Sequence, residues 1–469
     1  MRLVPSGSSR LSIARTVERY KTRLVALGNR QKEGIDFDET FAPVAKMTSV
    51  RIFLSIVAAR NWEVHQMDVH NAFLHGDLEE EVYMKLPPGY FAQHKGKVCR
   101  LRKSLYGLKQ APRCWFAKFA TALKNYGFQQ SYSDYSLFSF NRDGVSLYVL
   151  VYVDDLIVTG NSTTAISEFK QYLDSCFHMK DLGLLKYFLG IEVARSPDGI
   201  YLCQRKYVLD ILQDTFLLGA QPSGFPIEQN HTLASATGSF LTDLASYRRL
   251  VGRLVYLNVT RQDLAYSVRV LTQFMQKPRE EHWTAALRVV RYLKGTPGQG
   301  VLLRANSDLH IYGWCDSDFS GCPRSRRSLT GWFVQLGQSP VLWRTKKQKV
   351  VSMSSAEAEY RAMSLTAREL VWLQALLEDL AVFLSRPMTL YCDSTAAIHI
   401  AANPVFYERT KHIERDCHFV REKVQNGTIA TVHVSTTTQL ADIFTKALGS
   451  REFDVFRDKL GIEDLHAPT

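Results

Sequence analysis

The feature that most constrains this chain is a run at Ser146–Val153, the pair Asp154-Asp155, and a second run at Leu156–Gly160. Two β-rich apolar runs divided by two turn residues predict a hairpin whose strands are buried on both faces. Its tip carries two carboxylates. The most apolar stretch, Leu147–Val153, stops at those acids, far short of the roughly 20 apolar residues a membrane span requires. The N-terminal Met1–Ser9 lacks the apolar core of a signal peptide. An intracellular protein without a membrane partner is expected.

The remaining bounds come from composition. At 469 residues, with 46% hydrophobic and 22% charged side chains, the chain has the make-up of an ordinary globular protein. Disordered, collagen-like and disulfide-miniprotein classes are excluded. The length fits about three domains of roughly 150 residues. Lys and Arg exceed Asp and Glu by 58 to 46, giving a formal charge of +12. Such an excess favours polyanionic partners, nucleic acid above all once a membrane is set aside. Eight scattered cysteines show no Cys-x-x-Cys pair, so reduced, buried thiols are expected rather than a zinc site.

Along the chain, residues 1–16 read as a Ser-rich flexible leader, Arg51–Arg60 as a helix, and Trp62–Phe73 as a strand running into a turn. Pro87-Pro88-Gly89 breaks the chain ahead of a basic stretch, Lys95–Lys109. Helices are expected at Ala165–Cys176, Lys206–Gly219, Tyr247–Thr260, Asp263–Met275 and Glu280–Lys294, with a linker or long loop at Gln221–Ser239. From Leu309 the pattern becomes strand, strand, strand, helix, strand, helix, strand, helix. The long amphipathic helix Ser355–Leu380 begins at a Ser354-Ser355 cap with Glu357 close behind, and a closing helix is expected at Thr438–Ala447.

Acids occupy unusual settings in both halves. Asp68 ends the strand Val64–Met67, and Asp154 and Asp155 sit at the hairpin tip. Adjacent carboxylates repel unless a cation compensates. Magnesium prefers such oxygen ligands, and two ions about 4 Å apart can activate a primer hydroxyl and stabilise departing pyrophosphate. An ordinary soluble turn would also account for Asp154-Asp155. In the second half, Asp316, Glu359, Asp393 and Asp442 stand at a strand end, in a helix, at another strand end and in the late helix; each alone is as readily structural. Glu357, two positions from Glu359, points elsewhere on its helix, and Asp318 is expected to face away from Asp316.

Tyr152–Asp155 resembles the catalytic hairpin of reverse transcriptases, and Met67–Gly76 resembles the first catalytic motif of the Ty1/copia retrotransposon branch. Ser104–Arg113 and Lys186–Gly190 follow in that family's order. The acids of the second half, with Thr410–Glu414 and Asp442–Lys446, resemble the copia-type ribonuclease H. This resemblance, covering roughly residues 17–448, implies a multidomain α+β and α/β protein. Reverse transcriptase fingers (partial) and palm would occupy 17–230, thumb and connection helices 231–305, and a ribonuclease H-like α/β domain 306–448, followed by a tail at 449–469. The usual sequence before Lys21 is replaced by the Ser-rich leader, and the chain reads as the distal part of a transposon polyprotein.

The resemblance also implies roles. Asp68, Asp154 and Asp155 would hold two Mg²⁺ for polymerisation, and Asp316, Glu359, Asp393 and Asp442 two more for RNA-strand hydrolysis, with Mn²⁺ as an alternative ion. Arg23 would clasp the deoxynucleoside triphosphate, a role that suits bidentate guanidinium geometry; a solvated charge is the alternative. Phe73 would lie under the incoming sugar and disfavour a 2′-hydroxyl, or else be ordinary core. Gly107 would let backbone approach template and nucleotide, and Phe188 and Gly190 would support the primer end; turn and core roles compete for all three. Lys103, Lys109, Arg288, Arg291 and Lys294 would track phosphates, with a solvated face as the alternative. His412 is a further candidate, whereas the Ser435–Thr438 loop lacks the His that cellular ribonucleases H carry there. The expected partners are an RNA template, a DNA primer, the RNA–DNA hybrid and deoxynucleoside triphosphates, met in a cytoplasmic particle or the nucleus. The rival expectation is a truncated or domesticated remnant that binds nucleic acid without polymerising.

Overall fold

A computed structural model describes residues 24–86, 96–402 and 414–464. The leader, Arg23, the Pro87–Gly89 break, His412 and most of Thr410–Glu414 lie outside the described residues. Those described form two compact units, 24–46 with 62–185 and 47–61 with 186–464. Helix α1 (Met47–Ala59) thus belongs with the later sequence.

The first unit holds β1 (Glu63–Val69), β2 (Asp77–Lys85), β3 (Val98–Lys103), α2 (Ala111–Tyr126), β4 (Gln129–Gln130), β5 (Leu137–Arg142), β6 (Val145–Tyr152), β7 (Asp155–Gly160), α3 (Thr163–Cys176) and β8 (Met179–Leu184). Six strands form an antiparallel sheet in the order β4-β5-β6-β7-β1-β8, while β2 and β3 make a separate ribbon. Helix α2 has Pro112 in its first turn and ends at Gly127, whose φ of 114° suits only glycine readily. Its Trp115, Phe119 and Leu123 recur at helical spacing. They meet Ile166, Phe169 and Leu173 of α3 and the Leu147, Val149, Val151 face of β6 in one core. The two-sided burial expected of β6 and β7 is found: Leu147–Val151 and Leu156–Val158 are all buried.

The second unit adds β9 (Tyr187–Phe188), β10 (Ile191–Ser196), β11 (Gly199–Cys203), α4 (Arg205–Asp214), α5 (Leu244–Leu257), α6 (Ala265–Thr272), α7 (Glu280–Gly295) and β12 (Gln299–Arg304). Next come β13 (Ile311–Asp318), β14 (Leu329–Leu336), β15 (Ser339–Lys347), α8 (Ser355–Asp379), β16 (Met388–Cys392), α9 (Thr395–Ala402), α10 (Glu414–Gln425), β17 (Ile429–His433), α11 (Ser450–Lys459) and β18 (Ile462–Asp464). One sheet runs β18-β12-β11-β10-β9 and the other β15-β14-β13-β16-β17. In the second sheet β13, β14 and β15 pair antiparallel, whereas β16 and β17 join in parallel. A crossover helix must link parallel neighbours; α8 and α9–α10 occupy those connections.

The division at residue 185, earlier than the expected limit of 230, has a pairing cause. Strand β11 bonds β12 along its whole length, from Gly199↔Arg304 to Cys203↔Gly300, so residues after 186 share a sheet with residues near 300. Helix α1 is held in the same unit by Arg51. Its buried guanidinium donates to the carbonyls of Val341 (2.7 Å) and Val259 (2.8 Å) and lies 4.0 Å from the Trp343 ring centroid. Charge here is satisfied by carbonyl dipoles and a ring face, and burial lowers the Arg51 pKa to about 9.

The expected helix at Thr438–Ala447 is absent. In its place are two short 3-10 turns, Thr436–Thr438 and Leu440–Phe444, the second started by the Gln439 side chain accepting from Ala441 N. Three successive β-branched threonines are poor helix formers.

Candidate active sites

In the first unit, the hairpin turns one residue earlier than its sequence predicts. Tyr152 pairs with Asp155, so Val153 and Asp154 form the two-residue loop and Asp155 begins β7. Val153 has a φ of 60°, a strained conformation for a β-branched residue. The Trp115 indole N–H holds it by donating to the Val153 carbonyl at 2.7 Å, and Val69 N donates to the Asp154 carbonyl at 3.0 Å. On the other side, β1 brings Asp68 directly opposite Asp155. Directly opposed residues share a face with Cβ atoms about 5 Å apart. Asp68, Asp154 and Asp155 therefore gather at one sheet end from two strands and a turn.

Asp155 accepts from Gln66 Nε2 at 3.2 Å. Burial, opposed by that hydrogen bond and reinforced by Asp154 and Asp68, raises its pKa above the ordinary carboxylate range. Three acids with repulsion among them form an oxygen donor set suited to a hard divalent cation. Their ligand atoms do not all lie within 4.8 Å of one another, unlike those of the second site. The sequence reading missed Gln66. It also missed Lys180, which stands opposite Asp68 on the third strand of the row.

The flanking candidates divide. Phe73, in the 3-10 turn Ala72–His75, is partly buried and meets Tyr106 edge-on at 5.1 Å between centroids. Gly107, with φ of 89°, is crossed by its own chain, since a Cβ there would sit 2.1 Å from the Ala26 carbonyl oxygen. Lys109 lies 4.5 Å from the Phe37 ring centroid and its Nζ donates to the Gln31 carbonyl at 3.4 Å. Lys103 stands 3.9 Å from Asp77. Phe188 and Gly190 are in the second unit, where Leu189 and Gly190, both at positive φ, form the tight turn joining β9 to β10. Phe188 is core there.

The basic face expected of α7 is also engaged internally. Arg288 pairs with Glu228 at 2.5 Å and stacks 4.4 Å from the Phe225 centroid, while Lys294 donates to the Ala220 carbonyl. Those contacts hold the 220–228 loop, so neither side chain is a free phosphate contact.

The second site assembles around β13. Asp316, 2% exposed, projects from that strand; Asp393 follows β16, which pairs with β13 in parallel; Glu359 comes from α8; and Asp442 from the 440–444 turn. Ligand atoms of Asp316, Asp393 and Asp442 lie within 4.8 Å of one another, as do those of Glu359, Cys392 and Asp393. The four acids predicted from sequence thus converge through a shared Asp393. Glu357 points elsewhere, as expected, accepting from Met353 N at 2.6 Å and pairing with Arg361 at 2.8 Å. Asp318 does not face away. Residues two apart on a strand share a face, and Asp316 helps raise the Asp318 pKa, after burial.

The last acid reaches the sheet because Gly331, opposite Asp316 on β14, has no side chain. A Cβ there would meet the Phe444 Cβ and a Thr445 methyl at 2.8 Å. Gln439 Nε2 then donates to the Cys315 carbonyl at 2.9 Å, and the Thr445 hydroxyl donates to Asp316. Thr436 donates to Asp393 at 3.1 Å. Lys446 lies 2.9 Å from Asp442 and 4.0 Å from Asp316. Sequence reasoning included Thr445 and Lys446 in a motif but gave them no role; Gly331 and Gln439 carried no signal.

Charge is undercompensated here. Burial first, then Asp316, Cys392 and Asp393, pushes the Glu359 pKa up to about 10; burial and Asp316 push Asp442 up to about 7. Burial also raises Asp316, against the pull of Lys446 and Thr445. Glu359 Oε2 and Asp442 Oδ1 are buried without hydrogen-bond partners. Orphaned carboxylate oxygens facing like charges fit divalent cations, whose hard oxygen preference matches this set better than the single Cys392 sulfur.

Residues 10–229 match the reverse transcriptase (RNA-dependent DNA polymerase) family. Over 448 residues the chain is 46% identical to the Retrovirus-related Pol polyprotein from transposon RE2 of Arabidopsis thaliana, covering 95% of this chain and 31% of that polyprotein. It is 33% identical over 308 residues to the putative transposon Ty5-1 protein YCL074W of Saccharomyces cerevisiae, covering 65% of this chain and all of that protein. The solved foamy viral protease-reverse transcriptase in complex with dsDNA aligns at 12% identity and a TM-score of 0.20, over 79% of this chain and 68% of that one, too weak to bear on the fold. The chain spans about a third of the length of the plant polyproteins it matches. With its hairpin acids inside the matched segment, the chain belongs to the copia-type retrotransposon Pol family and carries its reverse transcriptase domain.

Proposed function

We propose that this chain is an RNA-directed DNA polymerase that extends a DNA primer on an RNA template and degrades the RNA of the resulting hybrid, each reaction in its own acidic site. The observation that carries the polymerase reading is the cross-strand pairing of Asp68 with Asp155 beside Asp154, within the family-matched segment. Residues 17–230 would supply fingers and palm, 231–305 thumb and connection, and 306–448 the nuclease.

Asp68, Asp154 and Asp155 would hold two Mg²⁺. Such ions, when bound, lower the pKa of a hydroxyl or water and neutralise charge on the departing oxygen. Gln66 orients the Asp155 carboxylate through its 3.2 Å hydrogen bond, and Trp115 fixes the turn that presents Asp154. Phe73, on the turn after β1, would sit against the deoxyribose and exclude ribonucleotides. In the nuclease, Asp316, Glu359, Asp393 and Asp442 would hold the ions. Thr445 and Thr436 orient Asp316 and Asp393 by donating to them, and Lys446 offsets part of the negative charge.

Primer extension by the purified chain on an RNA template with Mg²⁺ tests the reading. Synthesis that disappears in Asp154→Asn is expected. Hybrid binding with no extension by the unaltered chain would instead indicate a nucleic-acid-binding remnant.

A further inference from the structure

Beside the nuclease acids, within the second unit, a cavity of about 410 Å³ opens between α6 and the loop that joins β13 to β14. Arg269 of α6 and Gln273 just past its end line one side, Cys322 and Arg324 of the loop and Lys347 of β15 the other, with Asp318 at the end of β13. Some half-buried arginines of this unit carry carboxylates, as Arg288 has Glu228, Arg361 has Glu357 and Arg457 has Asp454, whereas Arg279 donates to backbone carbonyls instead. Among the described residues, Arg269, Arg324 and Lys347 carry none. Lys347 donates to Gln273 at 3.3 Å and to the Cys322 sulfur at 2.6 Å, and the Arg269 Nε is buried with no partner at all.

Three cations line one cavity without a carboxylate partner, and the half-buried Arg269, unlike the exposed Arg324, is partly desolvated at a cost in free energy. Burial, joined by the like charge of Arg344, lowers the Arg269 pKa. Asp318 lines the same cavity but makes no ion pair with any of them. The missing element is an anion of more than point size. Guanidinium groups bind phosphate through paired hydrogen bonds, and an ammonium adds a point charge.

We propose that this cavity is a subsite for one backbone phosphate of a bound nucleic-acid strand, held by Arg269, Arg324 and Lys347. Alternate residues on a strand are about 7 Å apart, so Asp318 at the cavity lies one step along β13 from Asp316. A strand whose reacting phosphate sits at Asp316 therefore presents a neighbouring phosphate to these cations. That the strand is part of an RNA–DNA hybrid rests on the nuclease reading above; the phosphate assignment itself does not.

The test uses the full chain and a labelled RNA–DNA hybrid in chelator, with binding followed by anisotropy across a salt series. Arg324→Gln, on an exposed loop, spares the fold, and Arg269→Gln removes the buried donor. Each should weaken binding and reduce the slope of log Kobs against log salt by about 0.9, the loss of one phosphate contact. In the unaltered chain, saturating hybrid should slow alkylation of Cys322 by iodoacetamide, read by mass spectrometry. Unchanged slopes in both variants with undiminished Cys322 alkylation would overturn the proposal. So would protection of Cys322 by millimolar inorganic phosphate equal to that given by the hybrid, which would mark a free-anion site. Failure of the nuclease reading shows up separately, as an intact RNA strand when Mg²⁺ is restored.

Discussion

Glu359→Gln should make the metal-free protein more stable while ending RNA hydrolysis. The Glu359 carboxyl is buried, one of its oxygens has no partner, and its pKa is pushed from 4.5 to about 10. At pH 7 the folded state therefore holds a proton that the unfolded state has released, and stability falls as pH climbs from 4.5 toward 10. The span from 4.5 to 7 corresponds to about 3 kcal/mol at roughly 1.4 kcal/mol per unit. Glutamine keeps the shape and can still accept from Ser317 N, the 3.3 Å contact of the native side chain. Removing the titration should raise the melting temperature of the second unit at pH 7 in chelator by on the order of 5–10 °C. Thermal melts of both proteins in chelator from pH 5 to pH 8 provide the assay. The gap should be small at pH 5 and widen with pH, and added Mg²⁺ should raise the native protein more than the variant. A variant less stable than the native chain at pH 7, or a gap that does not change with pH, would refute the reasoning.

Four further outcomes are expected. Asp155→Asn should abolish primer extension and leave thermal stability unchanged or slightly raised, since it removes an acid whose pKa burial and two neighbouring acids hold up. Gly331→Ala should cost about 1–3 kcal/mol by overpacking and suppress RNA cleavage without stopping extension, because its methyl would push Phe444 and Thr445 away and carry Asp442 with them. Asp263→Ala should destabilise the second unit by about 3–5 kcal/mol, measured by urea melts, since it strands the buried Arg261 guanidinium that Asp263 meets at 2.7 and 3.0 Å. Phe73→Val should raise ribonucleotide incorporation in a primer-extension assay if the ring contacts the sugar; unchanged selectivity would place Phe73 in the core alone.

The hairpin was legible because β6 and β7 are near-continuous apolar runs, a pattern only two-sided burial explains. The turn was misplaced by one residue because Asp154-Asp155 looks like better turn chemistry than Val153-Asp154; the strained Val153 is held by Trp115, 38 residues away in sequence. The four acids that cluster in the second site were picked out by their order along the chain, yet what brings them together was not. Gly331 matters for what it lacks, and Gln439 acts on a carbonyl 124 residues distant. Charge was read too freely. Arg288 and Lys294 share a helix face as their spacing requires, but that face grips the 220–228 loop. The inclusion of α1 in the second unit depends on Arg51 finding carbonyls some 200–300 positions later, an arrangement no local pattern encodes.

The most direct test of two separate acidic sites is one reaction followed at both strands, with a labelled RNA template, a labelled DNA primer, deoxynucleotides and Mg²⁺. The native chain should extend the primer and cut the template; Asp155→Asn should only cut, and Glu359→Gln should only extend. A native chain that does neither, or a single substitution that removes both reactions, would contradict the account.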